Sequence, residues 1–435
     1  MKNWTTILTT FLGLSLSLTA QPSLQPKAVS TAGTAADITL GPEVLGWNPA
    51  RLAALNQPRF ALSFGLLPLV PFPRTILDNS TLDAHWLNDN LYRGYFSPED
   101  IQTVLAGFPE SGWEGGSRIQ LDLLGISAGS FALAIRPELD VRVNVPKDLF
   151  RLVFQGLRFE DPIHLFDVNV AAQGVIPVSI GYGMPLPVEL PVPFVDRVRV
   201  GAAVKPLIGL FDARTVTSEG YITSLPDKIQ ADGTLEAQYA LGGFGLALDA
   251  GAEARVLDRI QVGLSLNNLF GTISWGSGEA RVIREKVSGD LLNTQFEDLQ
   301  DDSLRTDILN SLIQEDTSYA SSGYTTDYPA YLNLSGRVDD LLPGLTLMMN
   351  IRQYFQDTDY STTTPRLSLA AQYQPLSWLS LRGGVSLGGM ESFQWGTGLG
   401  LEFSHYQFEF GFSQNRGLFN SAKGFTLSLG QNLLF

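Results

Sequence analysis

The last twelve residues, Gly424-Phe425-Thr426-Leu427-Ser428-Leu429-Gly430-Gln431-Asn432-Leu433-Leu434-Phe435, decide how the rest is read. Phe425, Leu427, Leu429, Leu433 and Phe435 share one parity, and Thr426, Ser428, Gly430 and Asn432 take the other. A strand sends alternate side chains to opposite faces, so this is a ribbon with one greasy face and one small or polar face. Such a ribbon ending on an aromatic fits the wall of a transmembrane β-barrel, where Phe425, Leu433 and Phe435 close the last strand against the first. An edge strand of a soluble sandwich is the alternative, and repetition along the chain has to separate the two.

The chain has 435 residues, no Cys, 43 Gly and a formal charge of −15, with 17% charged residues. The low charged fraction argues against disorder. Without cysteine there are no disulfides, no thiolate metal sites and no lipid-modified N-terminal Cys. The acidic balance and the lack of a basic stripe exclude a nucleic-acid partner.

Residues 1–20 read as a signal peptide: Met1-Lys2-Asn3, an apolar run from Trp4 to Leu18, then small residues to Ala20. No other uninterrupted apolar run approaches the roughly 20 residues of a spanning helix. In a membrane, this chain spans as strands. Residues 21–57 form an N-terminal segment that precedes the first strand, starts on the periplasmic side and can plug the lumen. Its first part, Pro22 to Asp37, is small and polar and reads as flexible. Residues 58–435 form the barrel.

Repetition supports the barrel. The first strand spans Arg59 to Leu67, with Phe60, Leu62, Phe64 and Leu66 on one face. Helices are expected after Ser97-Pro98-Glu99-Asp100, where Ser caps, Pro takes the first turn and acids suit the positive end, and at Lys147 to Gln155. Strands follow at Arg118 to Ile126, Ser130 to Val145, Leu165 to Gly183, Arg197 to Leu210, Thr234 to Val256 and Arg259 to Trp275. From Tyr331 onwards seven more complete a set of 14, an even number with both chain ends in the periplasm. The fold class is therefore all-β: an antiparallel transmembrane barrel of about 14 strands with an N-terminal plug and helix-containing extracellular loops. The outward parity collects Trp395, Leu399, Leu401, Phe403, Tyr406, Phe408, Phe410 and Phe412. The inward parity collects Asp122, Arg136, Arg199, Lys205, Asp249, Glu253, Arg352, Arg382 and Glu409, which implies a polar or plug-filled lumen.

The longest excursion, 276–329, carries 11 acidic and 4 basic residues and a helical core near Asp298 to Gln314. It reads as a solvated face, or as an element facing divalent ions or lipopolysaccharide; its spacing matches no calcium loop. The histidines His85, His164 and His405 accompany no nucleophile motif, so no enzyme, catalytic residue, metal site or cofactor is expected. Gly396-Thr397-Gly398-Leu399-Gly400 touches a phosphate-loop pattern, but strand alternation continues through it. Gly396, Gly398 and Gly400, with Gly384, make a lumen-facing strip without side chains. The strip either admits the plug segment Leu45 to Leu52 or relieves crowding in the wall.

At Asn48-Pro49-Ala50 the chain resembles the FadL-like outer-membrane proteins, 14-stranded barrels for uptake of hydrophobic compounds whose N-terminal hatch carries an N-P-A motif. Phe96 to Ile101, Leu124 to Leu133 and Val145 to Phe150 are similar to a less characterised branch of exported proteins in that superfamily. The resemblance implies an outer-membrane protein of a Gram-negative-type bacterium, with a hatch at Trp47, Asn48, Pro49, Ala50 and Leu52. It also implies passive uptake of hydrophobic molecules such as fatty acids. A ligand groove is expected at Leu66, Phe72, Leu91, Phe96, Leu149 and Phe154. The expected partners are outer-membrane lipid and lipopolysaccharide, the barrel-assembly machinery and a hydrophobic ligand. Two other readings remain: a plugged structural barrel that binds a secretion or envelope protein, and a general polar porin.

Overall fold

The computed structural model describes residues 23–64, 66–67, 70–71, 74–90, 95–164, 168–187, 195–257, 259–276, 279–292 and 313–435. The expected signal peptide, Phe72, Leu91 and most of the expected acidic-loop helix lie outside them.

A closed antiparallel barrel of 14 strands forms the body. The first three strands each run in two segments: β1 (Phe60–Phe64 and Arg74–Asn79), β2 (Trp113–Gln120 and Leu124–Ala128) and β3 (Phe131–Ile135 and Glu138–Val145). Then come β4 (Asn169–Pro185), β5 (Val195–Ser224), β6 (Lys228–Val256), β7 (Ile260–Trp275) and β8 (Tyr324–Asp327 and Tyr331–Leu342). The regular C-terminal half is β9 (Leu345–Tyr354), β10 (Arg366–Leu376), β11 (Leu379–Gly388), β12 (Phe393–Phe403), β13 (Tyr406–Asn415) and β14 (Gly424–Leu434).

The C-terminal ribbon closes the barrel. In β14, Leu433 lies opposite Leu62 and Phe425 opposite Leu77 of β1. Phe60 and Phe435 exchange both backbone hydrogen bonds, at 3.0 and 2.8 Å, and their rings meet at 6.1 Å. Pairing on both sides removes the unpaired edge that lipid could not satisfy. The two faces separate as the parity predicts. Ile180, Leu264, Leu334, Leu369, Val385 and Leu427 are exposed to the lipid side, whereas Arg199, Asp249, Glu253, Arg352 and Glu409 are buried inside. Aromatic pairs mark both rims: Trp378 on Phe403 and Phe131 on Tyr182 near the periplasmic turns, and Trp395 beside Phe412 and Phe419 at the other end.

Several expectations are corrected. The first strand does not run unbroken from Arg59 to Leu67: it leaves the wall after Phe64, makes a small hairpin pairing Leu66–Leu67 with Val70–Pro71, and rejoins at Arg74. Pro71 and Pro137 lack the donor a ladder needs, and the pairing of β1 through β3 is interrupted along one line. Strand β5 extends 14 residues past Leu210, because its continuation is rich in the β-branched and aromatic residues that favour strands. Together with β6 and an outer hairpin of Ala280–Leu292 and Ile313–Ala320 it forms a fin beyond the membrane. Ile313 and Gln314 thus end in a strand, not in the expected helix. The short helices are otherwise as read. For Pro98–Gly107, Ser97 accepts from the Asp100 amide while the Asp100 carboxylate accepts from the Ser97 amide; the second helix is Lys147–Gln155.

Candidate functional site: the lumenal hatch

Residues 23–54 fill the lumen, almost all of them buried. The small, polar segment expected to be flexible is therefore packed. Its small side chains are what allow this: Ala28, Ala32, Ala35 and Ala36 are buried at 1% exposure or less, and a bulkier run would not fit between the walls. The segment forms the helix Pro26–Ser30 and three 3-10 turns, Ala35–Asp37, Gly41–Val44 and Pro49–Ala53. Asn48 opens the last turn, its side-chain oxygen accepting from the Ala50 amide at 3.1 Å while its amide nitrogen donates to the Ala252 carbonyl of β6 at 2.9 Å. One side chain thus fixes the local turn and ties it to the wall.

The glycine strip does receive the hatch, but not the part expected. A Cβ on Gly396 would lie 2.2 Å from the Val29 carbonyl oxygen, one on Gly384 2.6 Å from that of Thr31, and one on Gly398 2.5 Å from the Ser30 Cβ. Gly400 faces Arg382 and Glu409 instead. The segment carrying Trp47, Asn48, Pro49, Ala50 and Leu52 sits on a second glycine strip that runs across four strands. Gly183 and Gly201 approach the Pro49 backbone, and Gly251 and Gly263 approach Asn48. Sequence reading missed this strip because its glycines are spread over 80 residues. Two of the four, Gly251 and Gly263, sit on neighbouring strands at almost the same level.

Polar contacts fasten the plug around the circumference. Tyr331 donates to the Gly46 carbonyl at 2.8 Å, Ser265 to that of Trp47 at 2.7 Å, and Arg136 to those of Leu45 and Pro42 at 2.6 and 2.8 Å. Lys27 pairs with Glu43 at 2.8 Å, and Arg51 reaches Glu253 of β6 at 3.3 Å, which also meets Arg199 at 3.4 Å. Arg382 pairs with Glu409 below the helix. The inward charges of the wall are thus largely bound to one another or to the hatch, which disfavours the general porin.

Asp37 adds a titratable element. It accepts from Ser335 at 2.9 Å, and Arg51 and Arg337 are near, yet burial dominates and pushes its carboxyl up to about 6. The seated hatch therefore holds this proton more tightly than the free segment, and seating weakens as pH rises from about 4 through about 6. Channel openings should be rarer at pH 5 than at pH 8, and Asp37→Asn should flatten that dependence. Planar-bilayer recordings at the two pH values check it.

Between the hatch and the loop bearing Tyr360 lies a cavity of about 60 Å³, lined in part by Arg118, Glu138, Lys205, Tyr328 and Tyr331. It suits a few waters and is well below the roughly 150 Å³ that accommodates benzene. At the extracellular mouth the loop helices gather an apolar cluster. Phe96 meets Phe154 edge-on at 5.6 Å, Phe108 stacks on Phe150 at 4.1 Å, and Leu149 packs beside them. Of the expected groove, Phe96, Leu149 and Phe154 come together here. The backbone of Leu66 lies in the break of β1 instead.

A family model matches residues 115–412. The chain belongs to the family of unknown function DUF5723. This DUF5723 member matches no curated protein sequence. Among solved structures it is similar to the CymD monoaromatic hydrocarbon channel, at 12% identity and a TM-score of 0.54, covering 96% of this chain and 99% of that one. It is also similar to a deltaS2S3 mutant of the TodX monoaromatic hydrocarbon channel, at 11% identity and a TM-score of 0.52, covering 94% and 97%. These likenesses show that the DUF5723 chain shares the barrel fold of those structures.

Proposed function

We propose that this barrel is a passive conduit for small hydrophobic molecules, gated by its hatch. The observation that supports the reading most is the aromatic cluster of Phe96, Phe108, Phe150 and Phe154, held on loop helices outside the membrane above a plugged lumen. Apolar side chains at an extracellular mouth offer a first binding site for a molecule leaving water. The two similar solved structures are channels for monoaromatic hydrocarbons. Passage then requires the hatch to shift, because the lumen around residues 23–54 is filled. The reading needs no cofactor or energy source. Outer-membrane lipid, lipopolysaccharide and the barrel-assembly machinery are its proposed partners.

The test is uptake of toluene and of a fatty acid by proteoliposomes, with the double variant Phe96→Ser/Phe154→Ser alongside. Uptake that falls about tenfold in the variant supports the reading, since the edge-on contact of two partly buried rings is lost from the cluster. Absence of uptake by the unmodified barrel sinks it and favours the plugged barrel that serves a protein partner.

A further inference from the structure

The connection from β13 to β14 has the tip Arg416-Gly417-Leu418-Phe419-Asn420-Ser421-Ala422-Lys423, a cation at each end and an apolar pair between them. It stands at the extracellular end of the barrel, because β14 runs from it down to the periplasmic Phe435. Its backbone is pinned. The Arg416 amide donates to the Phe393 carbonyl at 2.7 Å, that of Lys423 to the Asn415 carbonyl at 3.0 Å, and that of Phe419 to the Gln414 side chain at 2.8 Å. Leu418 and Phe419 are nevertheless 50% and 69% exposed. Phe419 meets Trp395 at 5.6 Å and Trp395 meets Phe412, so the tip continues the outward aromatic rim of the wall.

A groove of about 580 Å³ opens beside the tip, lined in part by Arg416, Lys423, Ser80, Ser392, Phe393 and Leu418. The Lys423 ammonium donates to a neutral group, the Ser80 carbonyl at 2.9 Å, and no carboxylate oxygen lies within 4 Å of it among the described residues. Arg416 donates from Nε to Asp78 at 2.7 Å, and its Nη groups donate to none of the described residues; the side chain is about a quarter exposed. Two further carboxylates act on Arg416, Glu391 and Glu114, but each has its own cation, Arg366 at 3.0 Å and Arg142 at 3.3 Å. One carboxylate thus faces two cations, and the groove is left cationic. A cationic groove beside an exposed apolar ridge, at the outer edge of the membrane, matches an amphiphile with an anionic head.

We propose that this groove binds a phosphate of an outer-leaflet glycolipid, lipopolysaccharide, with the Arg416 Nη groups and Lys423 Nζ donating to its oxygens and its acyl chains running along Leu418, Phe419 and Trp395. This gives one proposed partner its seat and rests on the outer-membrane placement, not on the conduit. A guanidinium fork beside an ammonium suits the several oxygens of a phosphate. The groove has room for a phosphorylated sugar, whereas a phospholipid head carries the same phosphate and fills less of it. Because the backbone of the tip is already fixed, binding orders little besides side chains.

The test is titration of the full-length refolded protein in non-ionic detergent with bisphosphorylated lipid A, its dephosphorylated form and phosphatidylglycerol, with inorganic phosphate as competitor. Lipid A should bind about tenfold more tightly than its dephosphorylated form, and high salt should shrink that preference. Lys423→Gln, at a partly exposed position, should cut the preference several-fold, and it serves even where Arg416→Gln leaves Asp78 stranded and the barrel fails to fold. Leu418→Ser/Phe419→Ser should weaken both forms of lipid A alike and keep the preference. Equal affinities for the two forms, or a preference unchanged in Lys423→Gln, overturn the assignment. Phosphatidylglycerol binding as tightly as lipid A overturns the glycolipid, and displacement of lipid A by an equal concentration of inorganic phosphate would mark a free-phosphate site instead. Lipid A preference without toluene or fatty-acid uptake would end the conduit reading and leave this site standing, and uptake without the preference would do the reverse.

Discussion

Gly201→Leu should unseat the hatch and turn a closed barrel into a leaking one. The argument is steric. A Cβ at this position would lie 2.4 Å from the Pro49 carbonyl carbon and 2.5 Å from the Ala50 nitrogen, and both are backbone atoms that cannot rotate away. Gly201 has its ladder partners Gly251 and Gly183 on either side, so the wall around it is fixed as well. The strain falls on the weaker partner, which is the plug. Overpacking of this kind costs about 1–3 kcal/mol where the surroundings can adjust, and more where they cannot. Gly396→Val should act alike at the other end of the hatch, where Val29 and Ala32 lie against the wall. Gly336 is the control: nothing lies within 4 Å of a Cβ there, so Gly336→Ala should leave the barrel closed. Single-channel conductance in planar bilayers, with protease cutting of the hatch as a second readout, separates the three. A closed Gly201→Leu barrel with a protected hatch would show that the plug yields without leaving, and gating by hatch displacement would lose its basis.

How much of this was legible beforehand varies with the physics of each element. The C-terminal half announces itself because β13 alternates strictly and β12 and β14 do so over most of their length: one face must meet lipid and the other must not, so every second residue is constrained. The helix at Ser97 is equally clear, since a capping box is a local code. The hatch is harder. Residues 23–37 carry neither period and look like a linker, and their order comes from the glycines and polar groups of strands hundreds of residues away, such as Asn350 donating to the Gly33 carbonyl at 3.2 Å. Asn48-Pro49-Ala50 could be found by its turn chemistry, but the surface receiving it is assembled only when β4 to β7 stand side by side. The β1 interruption was hidden for a related reason. The alternation of Phe60 to Leu66 continues across it, and the prolines that break the ladder come later. Lys27, Glu43, Arg51 and Asp37 were passed over because a lone charge in a small-residue run reads as solvent-facing until a lumen encloses it.

Removing the carboxylate of Glu253 should loosen the hatch more than removing the guanidinium of Arg51. Glu253 is 2% exposed and lies opposite Arg199 in the ladder, with Arg51 reaching it from the plug. In Arg51→Ala, Glu253 keeps Arg199, so the loss is one hydrogen-bonded contact and the Arg51 link to the Thr39 carbonyl. In Glu253→Gln, two buried cations from different parts of the molecule face each other without their shared anion, with Arg337 close by. Breaking a buried pair by leaving charge behind costs about 3–5 kcal/mol, and that energy is recovered if the hatch leaves and takes Arg51 into water. Glu253→Gln should therefore open the channel and expose the hatch to protease. Arg51→Ala should give a milder phenotype, and adding Arg51→Met to Glu253→Gln should partly restore closure because one stranded cation is gone. Equal effects of the two single variants, or a double variant worse than Glu253→Gln, would mean that the plug is held by shape alone and that the ion cluster contributes nothing to its seating.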